Sequence, residues 1–374
     1  MAIKNTIDIN SATSKLTDWL SGELPDAQDV AVTDLGEPDS SGLSNETVLF
    51  TATWRAGGVQ ETSNMVARVQ PHGPGMYPEY DLGKQAAVIK ALAEKSAVRV
   101  PRVYFFEEDP SVFGSPFLVL ERIDGRIPSD DPPFTAAGWV LDLTPEQRRT
   151  MWHNGLEALA AIHRVDWRAL ELGFLDTREN RSGLDADLAW CRRTFEWAAE
   201  GERNPTIEAA LDWLDQHRPN DDGSDVLNWG DARVGNIIFA DDVSAAGVID
   251  WEAVVLAQRE QDLGWWLFNV RHHTQGVGLP LPDGIPDRDE TIEYYQQVSG
   301  HKVRNIDYYE ALAGTRLAIF MVRAAHMMID AGLLPPDSPM AQSNPASQLV
   351  AKLLGLPAPV GVTTTFIGHR GTSG

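Results

Sequence analysis

The stretch that decides the fold is Asn228-Trp229-Gly230-Asp231-Ala232-Arg233-Val234-Gly235-Asn236-Ile237-Ile238-Phe239, followed shortly by Val248-Ile249-Asp250-Trp251-Glu252. An Asp stands five residues before an Asn, and an apolar, strand-like run follows. A second apolar run closes on another Asp. Phosphoryl transfer from a nucleotide asks for this set: one Asp aligns and deprotonates an acceptor hydroxyl, while an Asn and an Asp hold Mg²⁺ against the phosphates. Asp231 is therefore the candidate catalytic residue. Asn236 and Asp250 are the candidate metal ligands, because a hard cation prefers oxygen donors. Each has a plainer reading taken alone: a turn Asp, a turn Asn after Gly235, and an Asp at a strand end.

Upstream of this run the chain changes character. Residues 1–123 read as a strand-rich lobe with one main helix. Val48–Trp54 is β-rich, Gly57-Gly58 suits a hairpin turn, and Met65–Val69 is the next strand candidate. Tyr80–Glu94 is predicted helical, with Leu82, Ala86, Val88, Ile89 and Leu92 on one apolar face. Ser14–Leu20 could form a short leading helix, and Arg102–Phe106 and Pro116–Leu120 are two more strands. Asp124-Gly125 marks a hinge. Residues 124–374 read mainly helical. Thr144-Pro145-Glu146-Gln147 is a helix start, with a Thr cap, a Pro in the first turn and a Gln placed to close a capping box. That helix should run to about Arg164. Further helices are expected over Asp185–Glu200, Thr206–His217, Asp289–Val298, Asp307–Asp330 and Ser347–Leu354, with two short strands inside 226–252. The fold class predicted is α+β, two lobes, with an antiparallel sheet in the first.

Bulk properties narrow the partners. The chain has 374 residues, a formal net charge of -23 and 43% hydrophobic residues. That is a globular composition with a field that repels phosphate polymers, so DNA, RNA and anionic membranes are not expected partners. No uninterrupted apolar run approaches a membrane span. The single cysteine, Cys191, rules out an intrachain disulfide and points to a reducing, cytoplasmic setting. It sits in a helix-like context as a small buried hydrophobe. Nothing in the sequence separates a monomer from a homodimer.

The order of strand lobe, hinge, helical lobe, Asp-x₄-Asn and strand-closing Asp resembles the aminoglycoside phosphotransferase and choline kinase superfamily. Its flanks Gly235, Ile237-Ile238-Phe239, Ile249-Asp250-Trp251-Glu252 and Asp262-Leu263-Gly264-Trp265 occur in the same order. The likeness runs from about Gly42 to about Asp330, and is narrowest to the bacterial branch related to kinase-like domains fused to acyl-CoA dehydrogenases. It implies a protein-kinase-like fold, ATP or GTP as donor, Mg²⁺, and a small hydroxylated acceptor. On the nucleotide side it implies that Ser44 and Asn45 contact phosphate from a covering loop. Arg68 stands where protein kinases place a phosphate-binding Lys, and the Glu121-Arg122-Ile123 backbone forms the adenine-holding hinge. Asp262 would hydrogen-bond the catalytic loop backbone, His163 and Asp166 would buttress it, and Glu252 would ligate metal through water or brace the loop. Two departures stand out: Trp229 occupies a position usually held by His, and Gln85 stands where the partner acid of the strand cation is expected.

The acceptor is open on sequence grounds. An aminoglycoside antibiotic would want a ring of carboxylates such as Asp185, Asp187, Glu196 and Glu200; an apolar or planar metabolite would want Trp139, Trp190, Phe195, Trp197, Trp265, Trp266 or Phe268. A nucleotide-binding sensor with little catalysis is the alternative function, kept open by Trp229 and Gln85. A protein kinase is disfavoured, since no Ala-Pro-Glu signature follows Asp250.

Overall fold

The computed structural model describes residues 9–36, 38, 46–73, 75–176, 183–220 and 224–361. The expected phosphate-loop residues Ser44 and Asn45 lie outside the described residues. The chain divides into two compact units, one of Ala2–Glu94 with Val100–Asp124, the other of Lys95–Arg99 with Gly125–Gly374. Lys95–Arg99 joins the second unit through the Arg99 carbonyl, which accepts from the Val248 N–H at 2.8 Å, and through an exposed Lys95–Glu171 ion pair.

The first unit carries helix α1 (Ile9–Glu23) and a five-stranded sheet. Its strands are β1 (Gln28–Gly36), β2 (Glu46–Ala56), β3 (Val59–Val69), β4 (Val103–Glu107) and β5 (Phe117–Glu121), with α2 (Leu82–Lys95) between β3 and β4. The order is β1-β2-β3-β5-β4, antiparallel throughout. Gly57 and Gly58, at φ of 58° and 86°, make the β2–β3 turn, where two left-handed residues match the strand twist. Alternate residues Val48, Phe50 and Ala52 of β2 and Met65, Ala67 and Val69 of β3 turn one face to a core shared with Leu16 and Leu20 of α1. Trp19 anchors α1 by donating to Glu107 at 2.8 Å. All five residues of the predicted α2 face are buried.

The leading helix is longer than its sequence signal, and β1 was not anticipated. The reason is local. Asp29 and Asp34 take left-handed φ of 53°, and the β1–β2 register shifts twice, so the period-two pattern that flags a strand is broken.

The second unit contains α3 (Trp139–Asp142), α4 (Pro145–His163), α5 (Gly183–Ala198), α6 (Pro205–Gln216), α7 (Arg259–His273), α8 (Arg288–Ser299), α9 (Ile306–Asp330) and α10 (Pro345–Leu354). Thr144 caps α4 as predicted, with both halves of the capping box made. Four short strands, rather than the expected two, form two small antiparallel pairs: β6 (Val226–Asn228) with β9 (Val255–Ala257), and β7 (Ile237–Phe239) with β8 (Ala245–Val248). Helix α7 gives no sequence stripe because it is buried nearly all round, its polar start included: Glu260, Gln261 and Asp262 are inside. An 18-residue window of α9 has a mean hydropathy of 1.3, and 78% of that window is buried inside the protein. Its apolar surface is spent on the helical core.

Candidate active site

Asp231 lies in the loop between β6 and β7, and Asn236 ends a 3₁₀ turn (Val234–Asn236) that leads into β7. The loop starts through Gly230, whose φ is +88°. A Cβ there would sit 2.0 Å from the Ala253 carbonyl oxygen, so only glycine lets the loop pass. The loop is then fastened from below. Asp262, 1% exposed at the start of α7, accepts from the backbone N–H of Trp229 at 2.6 Å and of Gly230 at 2.8 Å. Its own N–H donates to the Asn228 side chain at 3.3 Å. The same carboxylate meets His163 Nε2 at 3.1 Å, and His163 Nδ1 meets the Tyr295 hydroxyl at 2.6 Å. The implied support by Asp262 is thus built, with His163 behind it. Asp166 instead accepts from the N–H groups of Arg168 and Ala169 and caps its own turn.

Trp229 is fully buried, and its indole N–H donates to the carbonyls of Ile249 at 2.9 Å and Asp250 at 3.0 Å. It ties the Asp231 loop to the segment carrying Asp250. The Ile249 N–H donates to the Asn236 carbonyl at 3.0 Å, so Asn236 and Asp250 stand at one end of the β7–β8 hairpin. Asp250 takes a left-handed φ of 63°, a conformation that costs an ordinary side chain of order 1 kcal/mol and is held here by those bonds.

The Asp231 carboxylate is surrounded by donors. Asn236 Nδ2 reaches one oxygen at 2.6 Å, Trp265 Nε1 the other at 2.7 Å, and Arg233 Nε lies 3.1 Å from both. Because the Asn236 amide N–H₂ is used on Asp231, its amide oxygen is the end left for a cation. Arg233 also pairs with Asp130. Burial works against the Arg233 charge, yet Asp130 and Asp231 together hold its pKa above the ordinary arginine value. Asp130 keeps 41% of its side-chain surface. Crowding by the protein would raise it, but Arg233 and, more weakly, His273 and His272 hold its carboxyl below the usual range. Behind Asp130, burial pushes His272 down to about 3 and lowers His273 as well.

Arg233, Asp130 and the Trp265 N–H are parts of this site that the motif alone did not assign. Arg233 was in view, two residues after Asp231. Asp130 had no signal, because only the folded chain brings it to Arg233. Among the described residues no three His, Cys, Asp or Glu side chains gather into a metal cluster.

On the nucleotide side, Arg68 sits on β3 opposite Thr47 and Leu118, on the sheet face away from the α1 core. Gln85 is buried in α2. Glu121 ends β5. Its N–H donates to the Arg102 carbonyl at 2.9 Å and the Arg122 N–H to the Asn64 carbonyl at 3.0 Å. Ile123 follows, half-buried.

The Phosphotransferase enzyme family model matches residues 36–298, well over half of the sequence. The chain belongs to that family. Among curated proteins it is 28% identical over 294 residues to the acyl-CoA dehydrogenase-type protein IBR3 of Arabidopsis thaliana, covering 74% of this chain and 34% of that one. It is 26% identical over 299 residues to human acyl-CoA dehydrogenase family member 11, covering 74% and 36%. The chain thus spans about a third of the length of these relatives. Among solved structures, one assigned as an aminoglycoside phosphotransferase from Ralstonia eutropha superposes with a TM-score of 0.64 at 23% identity, covering 91% of this chain and 98% of that one. An aminoglycoside 2′-phosphotransferase in complex with GDP superposes with a TM-score of 0.55 at 13% identity, covering 92% and 98%. At these identities the structural likenesses speak for the fold, which is α+β and kinase-like.

Proposed function

We propose that this phosphotransferase-family protein transfers the terminal phosphoryl group of ATP or GTP to a hydroxyl of a small molecule, with Asp231 as the catalytic residue. The observation that carries this reading is the Asp231 carboxylate, fixed from three sides by Asn236, Trp265 and Arg233, beside the hairpin end that bears Asn236 and Asp250. Asp231 aligns the acceptor hydroxyl for in-line attack. The acceptor oxygen bonds to the γ-phosphorus, the bond to the β–γ bridging oxygen breaks, the nucleoside diphosphate leaves, and the hydroxyl proton passes late to Asp231.

The donor set fits Mg²⁺. The Asn236 amide oxygen and the Asp250 carboxylate are hard oxygen ligands, and two protein ligands suit an ion that keeps water and phosphate in its remaining positions. Bound there, Mg²⁺ supplies charge neutralisation at the phosphate oxygens. The first unit takes the nucleotide in this reading. Arg68 is its phosphate contact, Ser44 and Asn45 remain phosphate contacts by resemblance alone, and Ile123 offers its N–H to the base while the Glu121 and Arg122 N–H groups are engaged by backbone carbonyls. The second unit takes the acceptor, and the buried lone Cys191 fits a reducing, cytoplasmic setting.

The sensor reading rests on Trp229 and on Gln85, which is buried in α2. The Trp229 backbone N–H donates to Asp262 as the Gly230 N–H does, and the Trp229 indole secures Asp250, which favours a working loop. The test is a screen of hydroxylated compounds for Mg²⁺-dependent nucleotide consumption, run beside Asp231→Asn. Acceptor-stimulated turnover that Asp231→Asn removes is expected. Nucleotide binding with no acceptor-stimulated turnover would move the assignment to a sensor.

A further inference from the structure

Beyond Asp231 the helices α5, α7 and α9 contribute Trp190, Trp265, Phe320 and Arg316 to one cluster. The Arg316 guanidinium carbon lies 5.0 Å from the Trp265 ring centroid and 5.6 Å from that of Trp190. Phe320 closes the cluster edge-on, 6.0 Å from Trp190 and 6.4 Å from Trp265. Trp265 is the residue whose N–H reaches Asp231. A single indole therefore separates Arg316 from the reacting centre.

Arg316 differs from its neighbours. Arg192, Arg218, Arg233, Arg271, Arg288 and Arg323 each hold a carboxylate. Among the described residues Arg316 has no carboxylate partner, and its Nε is buried without a hydrogen bond. The guanidinium is half-buried over the two indoles, and its buried Nε lacks an acceptor that a ligand could supply. Three of the four acids that could have made this wall a cation site are engaged elsewhere, and the fourth, Glu196, is exposed on α5. Asp185 pairs with Arg218, Asp187 accepts from Gln261, and Glu200 pairs with Arg323 at 2.6 Å.

We propose that Arg316, held between Trp190 and Trp265, is a specificity-determining residue that receives a carboxylate of the acceptor while the acceptor's hydroxyl lies at Asp231. The inference rests on the phosphotransferase reading and narrows it to hydroxy-carboxylates with a planar or apolar body that lies along the indoles. One guanidinium neutralises one charge. A phosphate monoester, near two negative charges, would leave a surplus beside Asp231 and Asp130, so a monoanionic carboxylate is the matching group.

The probes are 4-(hydroxymethyl)benzoate and its neutral isostere 4-(hydroxymethyl)benzamide, titrated into the full chain without nucleotide and followed by tryptophan fluorescence. The carboxylate should bind about tenfold tighter than the amide, and the gap should shrink at high salt. Arg316→Gln should bring the two probes within about twofold and leave amide binding unchanged, while Arg316→Lys restores part of the preference. The unliganded Tm of each variant reports folding, and the wild-type gap and its salt dependence need no variant. Equal binding of the two probes by wild type, or a preference that survives Arg316→Gln, overturns the proposal. Asp231→Asn should keep the binding preference and lose turnover. Loss of the preference with turnover retained would break the Arg316 assignment alone. Turnover surviving in Asp231→Asn would break the catalytic reading alone.

Discussion

The loop that carries Asp231 and the wall that carries Arg316 are built in opposite ways. The loop is held by hydrogen bonds to backbone: Asp262 takes two N–H groups, Trp229 reaches two carbonyls, and Asn236 closes on Asp231. The wall is held by cation–π and edge-on aromatic contacts, and its central cation has no carboxylate partner among the described residues. A backbone-bonded loop fixes one geometry for the chemistry. An aromatic wall with an uncompensated charge is what the proposed carboxylate would complete. On the proposed reading, the loop residues define the reaction and the wall residue chooses the substrate.

Breaking the loop should have the largest effect. Asp231→Asn should lower acceptor-dependent turnover about 10²–10⁴-fold with the unfolding midpoint nearly unmoved, measured by nucleotide consumption beside thermal melting. Asp262→Ala should leave two buried N–H groups unpaired and cost about 2–5 kcal/mol in urea unfolding, with activity lost alongside. A substitution costing under 1 kcal/mol would mean that the loop stands without its support.

Trp265 belongs to both regions, so it sharpens the contrast. Trp265→Phe keeps a ring for Arg316 and removes the N–H from Asp231. The expected result is a drop in kcat of about tenfold with KM little changed. A change confined to KM would place Trp265 with the wall alone.

A smaller effect should appear behind Asp130. His272 stays neutral in the folded protein because burial lowers it to about 3, while in the unfolded chain it binds a proton below about 6.5. The folded pKa is depressed, so this stability is fully present above about pH 6.5 and is lost as pH falls toward 3. His272→Gln should flatten that part of the stability–pH curve, read from urea midpoints across the range. An unchanged slope would show that His272 is solvated. At the low end, the exposed Arg149–Glu290 pair, each side chain nearly half exposed, should yield less than about 1 kcal/mol in a double-mutant cycle.

The two regions also differ in how legible they were. Asp231 and Asn236 sit within one short run and Asp250 in a second just after it, joined by one local hairpin, and Asp262 follows in the same order. The capping box at Thr144 and the glycine pair at Gly57 and Gly58 were equally readable, because a cap and a turn are decided by adjacent residues. β1 was hidden by two left-handed Asp residues. α7 was hidden because its buried polar start serves the loop and not an amphipathic face. Asp130, Trp265 and Arg316 come together only through tertiary packing of separate helices and loops, so no spacing in the sequence pairs them.

The most direct test of the central claim follows the phosphoryl group itself. Wild type and Asp231→Asn are incubated with Mg²⁺, γ-labelled ATP or GTP and the hydroxylated acceptor that most stimulates turnover, and label on the acceptor is counted. Label moving to the acceptor with wild type and not with Asp231→Asn, while both bind nucleotide, is the predicted result. Equal transfer by the two proteins would contradict it.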